Sequence, residues 1–246
     1  MVIPVAISVH TVISYIFAMT IQPGWHSTIF GPYFVVGAIF SGIAALLMVM
    51  IIFRKVYHLE RYLKDIHFNY LSSLLLVMSL LWFYFTFSEY LTTFYGNEPD
   101  EMRVFFYKFT GGYAKYFWLM IICNFLVPVI ILSNRKTKTI AGIFFASACV
   151  IVGMWLERLI IVVPSLANPR LDYPTGIYIP SLTEWSLFAG GVAVFILGFM
   201  LFAKYFPLIS VWEIQEGRES SVNDVAKRLK MYLPDNLEDN LEEVLE

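Results

Sequence analysis

The chain has 246 residues, of which 59% are hydrophobic, 17% aromatic and 15% charged, with a formal net charge of −2. Mean hydropathy is +0.68. A soluble globule of this size cannot bury so large an apolar fraction, and composition also excludes collagen, disordered and disulfide-scaffold classes, which leaves a polytopic membrane protein.

Six apolar runs are long enough to cross a hydrocarbon core about 30 Å thick. They cover residues 1–19, 33–53, 69–94, 114–133, 140–164 and 184–206. None alternates apolar and polar residues as barrel strands do. The expected fold is therefore all-α, with about six transmembrane helices over 1–206 and an acidic tail over 207–246. The first run begins at Met1 with no basic leader and no small-residue cleavage site, so a cleaved signal peptide is not expected. It carries His10, with Ser14 one turn on, facing one side. A haem held by two histidines needs both at membrane depth; His26, His58 and His67 fall in loops.

The second run places Gly37, Ser41 and Ala45 four apart, a spacing that lets helices approach closely. In the third, Ser72, Ser79, Thr86 and Thr93 recur every seven residues, and Glu89 joins the same stripe. Two readings stand. Small polar residues hydrogen-bond between helices at about 0.6–2 kcal/mol each, or the stripe is a proton or quinol-headgroup path in which Glu89 takes and gives protons. The fourth run contains Cys123 and Pro128, a residue able to break it. The fifth contains Cys149 and the adjacent Glu157 and Arg158. Sequence neighbours lie about 100° apart on a helix, so each is expected to pair across helices, Arg158 with Glu89 for instance. The alternatives are a structural ion pair or a proton relay. The sixth run carries Gly191 and Gly198. No CxxC, metal-ligand cluster, phosphate loop or nucleophile elbow is present.

Basic residues set orientation. Arg54, Lys55, Arg61, Lys64, Arg135, Lys136, Lys138, Lys204 and Arg218 fall on one side, and Arg103, Lys108, Lys115 and Arg170 on the other. Both termini are expected in the cytoplasm, with loops 20–32, 95–113 and 165–183 outside. The tail from Glu213 to Glu246 has a net charge of −6 against +4 for the remainder. It reads as short amphipathic helices at 220–232 and 235–246, either solvated or docking a neighbouring subunit.

Four stretches are recognisable together: SVHTVIS with PGWHSTIFGPYF (8–34), FSEYLTTFYGNEPDE (87–101), GMWLERLIIVVPSL (153–166) and FPLISVWEIQEG (206–217). They resemble the NrfD/PsrC superfamily, the membrane subunits of polysulfide-reductase-type complexes, and look closest to those of alternative complex III. The resemblance implies a fold of about ten helices in two four-helix bundles with flanking helices. This chain would supply the second bundle and its flanks, roughly the C-terminal half, so a truncated or split protein is expected.

The resemblance further implies a subunit of a quinol:electron-acceptor oxidoreductase rather than a self-sufficient enzyme. It would sit in the bacterial inner membrane, with quinone or menaquinone as substrate and no cofactor of its own. Iron–sulfur clusters and haem are expected in partners: an iron–sulfur/molybdopterin-like peripheral subunit on the outer face, other NrfD-like membrane subunits and cytochrome c subunits. No nucleic acid is implied. Proton-pathway candidates are Glu89, Glu157, Arg158, Ser79 and Thr86; His10 is the quinol-contact candidate. A non-catalytic scaffold fragment and a membrane transporter are the competing readings.

Overall fold

The computed structural model describes residues 2–60, 62–168 and 178–206. Those residues form helices and connections, with no strand among them. In chain order they are α1 (Val2–Ala18), α2 (Phe30–Val56), α3 (Asp65–Gly96), α4 (Pro99–Phe109), α5 (Ala114–Ile121), a π-helical turn (Ile122–Leu126), α6 (Val127–Ser133), α7 (Ile140–Ala167) and α8 (Leu182–Tyr205). α5, the π turn and α6 run on as one span, Ala114–Ser133. Five spans are long and apolar enough to cross a membrane, while the first is a shorter apolar helix. The all-α polytopic fold is as expected, with five long spans and one shorter apolar helix where about six spans were expected. The tail at 207–246, and Arg61, Arg170 and Arg218 of the charge count, lie outside the described residues.

The chain divides into two compact units, Met1–Tyr178 and Ile179–Glu246. In the second, α8 opens with a capping box between Ser181 and Glu184, which satisfies two of the helix's otherwise orphaned amides. In the first, α2 is central and packs against α1, α3 and α7. Lipid offers helices no hydrophobic reason to associate, so close packing and hydrogen bonds must hold them. Phe40, Ala44, Leu47, Leu75, Trp82, Ala146 and Val150 are fully enclosed. The buried face of α3 reads Phe68, Ser72, Leu75, Ser79, Trp82, Thr86. The seven-residue polar stripe therefore faces the bundle, interleaved with its apolar partners.

Pro128 does not break its span. It has no N–H to offer the Asn124 carbonyl one turn back. The chain absorbs the mismatch as the π turn just before it. Ser79 then donates its hydroxyl to the Asn124 carbonyl at 2.7 Å, supplying the missing partner from α3. The π turn presses on α7 at Gly153. A Cβ built there would stand 2.1 Å from Asn124 Oδ1.

The stretch 95–113, expected as a loop, contains α4. Its 11 residues are too few to span a bilayer, so a search for long apolar runs passes over them. Local signals are nonetheless present at both ends. Pro99 occupies the first turn with Asp100 and Glu101, and Lys108 lies in the last, matching the helix dipole at both ends. Asn97, in the left-handed region at φ 49°, closes α3 just before it.

Overpacking a filled interface typically costs about 1–3 kcal/mol. Gly153→Ala is expected to lower the melting temperature of the detergent-solubilised protein. Gly42→Ala meets no atom within 4 Å and is expected to leave it unchanged. Equal melting temperatures for both variants would contradict the close α7–π-turn contact.

Candidate functional site

Glu157 lies in the middle of the bundle and is 2% exposed. Trp82 of α3 donates its indole N–H to Glu157 Oε1 at 2.5 Å. Tyr33 of α2 faces the same carboxylate. Thr86 Oγ1 lies 3.3 Å from the Tyr33 hydroxyl and donates back to the Trp82 carbonyl at 2.9 Å. Three helices thus converge on one carboxylate. Gly37 makes the approach of α2 feasible: a Cβ there would sit 3.1 Å from Met154 Cε and 3.5 Å from Arg158 Nη2.

Arg158 does not reach Glu89, which corrects the expected pairing. Its Nε lies 4.0 Å from Glu157 Oε2, and its guanidinium sits 4.4 Å from the centroid of the Phe34 ring. The 100° separation applies to backbone positions. An arginine side chain is long enough to fold back, and the face of Phe34 holds the cation there. Glu157 Oε2 has no hydrogen-bond partner among the described residues.

Glu89 instead takes its partner from the loop between α1 and α2. Ser27 donates to Glu89 Oε2 at 2.6 Å. The Gly24 amide donates to Glu101 Oε2 at 2.7 Å, and His26 Nδ1 lies 3.2 Å from Glu101 Oε1. The same loop is fastened to α7. Pro164 interrupts that helix's hydrogen-bond ladder. Nearby, Trp25 donates to the Ile161 carbonyl at 2.7 Å and Gln22 to the Ser165 carbonyl at 2.6 Å. Gly24 adopts φ +79°, and a Cβ on it would crowd Ser165 Oγ at 3.1 Å. Both facts favour glycine at this turn.

Lys108 of α4 completes the arrangement and is only 5% exposed. Its ammonium lies 5.9 Å from the centroid of the Tyr90 ring. Burial pushes Lys108 down to about 8, with Glu89 and Glu101 pulling it partly back. One cavity is lined by Tyr33, Thr86, Glu89, Tyr90, Thr93, Glu101, Phe105, Lys108 and Ile161. It therefore adjoins the Glu157 cage through Tyr33 and Thr86, and reaches Glu89 and Glu101. A neighbouring recess adds His26, Ser27, Thr92 and Glu98.

Of the residues singled out by sequence, the structure groups Glu157, Arg158, Thr86 and Glu89 around this cavity and cage. Ser79 lies apart, committed to the Asn124 carbonyl. His10 is exposed on α1, its Nδ1 2.8 Å from the Ala6 carbonyl, whereas Ser14 is fully buried. The two do not share an environment, since α1 packs on its neighbours further along, through Phe17 against Trp25 and Phe34. Sequence reading missed Tyr33, Trp82, Ser27, Glu101 and Lys108. For the last two a signal existed: they lie seven apart, two turns along one face of α4. Among the described residues no group of three or more His, Cys, Asp or Glu is placed to hold a metal ion.

A family model described as "Polysulphide reductase, NrfD" matches residues 1–169. The chain is also similar to the "Hdr-like menaquinol oxidoreductase integral membrane subunit" of Archaeoglobus fulgidus, at 29% identity over 217 residues. That match takes in 78% of this chain and 52% of the relative. The chain spans about half the length of that curated relative.

Lys108 couples protonation to stability. Its folded value near 8 lies below the roughly 10.4 of an unfolded lysine. Between these values the unfolded chain holds the proton that the folded one has lost, so stability rises with pH across that window, by about 3 kcal/mol at most. Thermal melts should show the wild type gaining on Lys108→Met as pH rises from about 8 to about 10. A pH-independent difference between the two would mean that the ammonium is solvated.

Proposed function

This chain belongs to the polysulphide reductase NrfD family, and on that premise we propose that it is an integral membrane subunit of a quinol-oxidising respiratory complex. The named similarity to a menaquinol oxidoreductase membrane subunit supports quinol as the substrate. The observation that carries the reading is the cavity joining the Glu157 cage to Glu89, Lys108 and Glu101. Oxidising a quinol releases protons along with electrons, and a carboxylate inside a membrane protein is retained against a substantial cost. Here Glu89 lines the cavity and Glu157 lies behind its Tyr33 and Thr86, each carboxylate held by a donor. Glu157 is oriented by Trp82, and Glu89 by Ser27.

In this role the chain handles protons and anchors partners, while electrons pass to an iron–sulfur subunit outside it. Glu89 is the group that accepts and releases the proton, and Thr86 and Tyr33 link it to Glu157. Arg158 balances the Glu157 charge from one side. Ser79 holds the α3–π-turn contact. His10, exposed on α1, contacts quinol. The finer assignment is a complex of the alternative complex III type in the inner membrane, with both termini in the cytoplasm. Its neighbours would be further NrfD-like, iron–sulfur and cytochrome c subunits. The acidic tail over 207–246 is proposed as a cytoplasmic docking segment.

Glu89→Gln keeps the size of the side chain and an oxygen for Ser27, and removes only the exchangeable proton. In the assembled complex, quinol-linked turnover or proton release is expected to fall by about 10²-fold, the low end for loss of an acid–base group, with unchanged subunit abundance. Wild-type turnover and proton release in a fully assembled variant would reject the role of Glu89.

A further inference from the structure

Lys108 is a buried amine that the carboxylate route alone does not explain. Lysine ammonium groups carry three donors, and buried ones are ordinarily paired. Among the described residues no hydrogen bond or ion pair closes on Lys108 Nζ, and the face of Tyr90 lies 5.9 Å from it. The amine lines the cavity together with Glu89 and Glu101. Glu89 belongs to the membrane span α3, and Glu101 belongs to α4 and touches His26, which is exposed. Lys108 thus occupies the gap between an interior carboxylate and a surface acid–base pair.

We propose that Lys108 is a proton-transfer residue between Glu89 and the Glu101–His26 pair. The inference rests on the reading that this cavity carries protons. In the forward step the Glu89 O–H bond breaks and an N–H bond forms on the Lys108 amine, leaving a carboxylate and an ammonium; since no hydrogen bond closes on Nζ, each transfer at Lys108 passes through a water in the cavity. The ammonium then gives a proton to the Glu101 carboxylate, which restores the amine. Glu101 passes it to His26, 3.2 Å away, or to water. No electrons move, and the only further participant is the bridging water, which is regenerated at each transfer.

The groups bearing on Lys108 are few. α3 presents Glu89 and Tyr90, α4 itself presents Glu101, and the α1–α2 loop presents His26 through Glu101. α2 contributes Tyr33 to the same cavity, α7 contributes Ile161, and no α5 residue lines it. The two facing carboxylates hold the ammonium form while burial favours the amine, so both forms are accessible near about 8.

The test uses the assembled complex in sealed vesicles, with quinol-driven proton release followed across the neutral to alkaline range. Wild type is expected to show an inflection near about 8. Lys108→Arg keeps the positive charge but cannot give up its proton, and is expected to reduce release at least about tenfold at normal subunit abundance. Lys108→His restores a titratable group and should recover release with the profile displaced toward acid, since imidazole titrates near about 6.5. Wild-type release in Lys108→Arg overturns the proposal, because charge alone would then suffice. So does a wild-type profile without the inflection, a result that does not depend on any variant folding. A wild-type complex that does not oxidise quinol overturns the functional reading, and the role of Lys108 with it. One that oxidises quinol but fails either of the Lys108 criteria overturns the latter alone.

Discussion

The bond from the Trp82 indole to the Glu157 carboxylate organises the bundle. A carboxylate in a water-free interior is costly unless it is hydrogen-bonded and paired. Each means of satisfying this one recruits a different element. Trp82 brings α3, Tyr33 brings α2, and Arg158 folds back along α7 with Phe34 beneath it. Gly37 lets α2 come near enough for this to work. The apolar core, from Phe40 to Val150, packs around a polar centre whose geometry leaves little freedom.

The second organising constraint is that backbone groups at membrane depth must find partners inside the protein. Two prolines create exceptions, at Pro128 and Pro164. At Pro128 the released Asn124 carbonyl is met by Ser79. Near Pro164, Trp25 and Gln22 fasten the α1–α2 loop to α7. That fastening places Ser27 on Glu89 and the Gly24 amide on Glu101. The end of α7 and the proposed proton site are therefore mechanically linked through this loop. Loosening the loop from α7 would also release both carboxylates.

Much of this was legible in the residues. The apolar runs mark the spans because length and hydropathy suffice for that. The seven-residue stripe of Ser72, Ser79 and Thr86 does face the bundle, since helical periodicity determines which residues share a face. Glu89 and Glu157 stand out on their own, because ionisable residues are rare at that depth. Less was legible wherever a side chain's reach decided the outcome. Arg158 could be assigned a depth but not a direction, and the structure turns it to its own neighbour. Helix α4 carried charge and proline signals at its ends yet fell below the length that marks a span.

The sequence by itself determined the solvent, the number and order of apolar helices, and the inward face of α3. Each is a local property, set by composition or by the 3.6-residue period. Only the tertiary structure decided which polar groups meet. Ser27 is 62 residues from Glu89, and Gly24 is 77 from Glu101. Lys108 looked like an ordinary basic residue in a loop. Burial, only partly offset by two carboxylates, turns it into a titratable group near the physiological range, because the cost of a charge depends on its surroundings and not on its residue type.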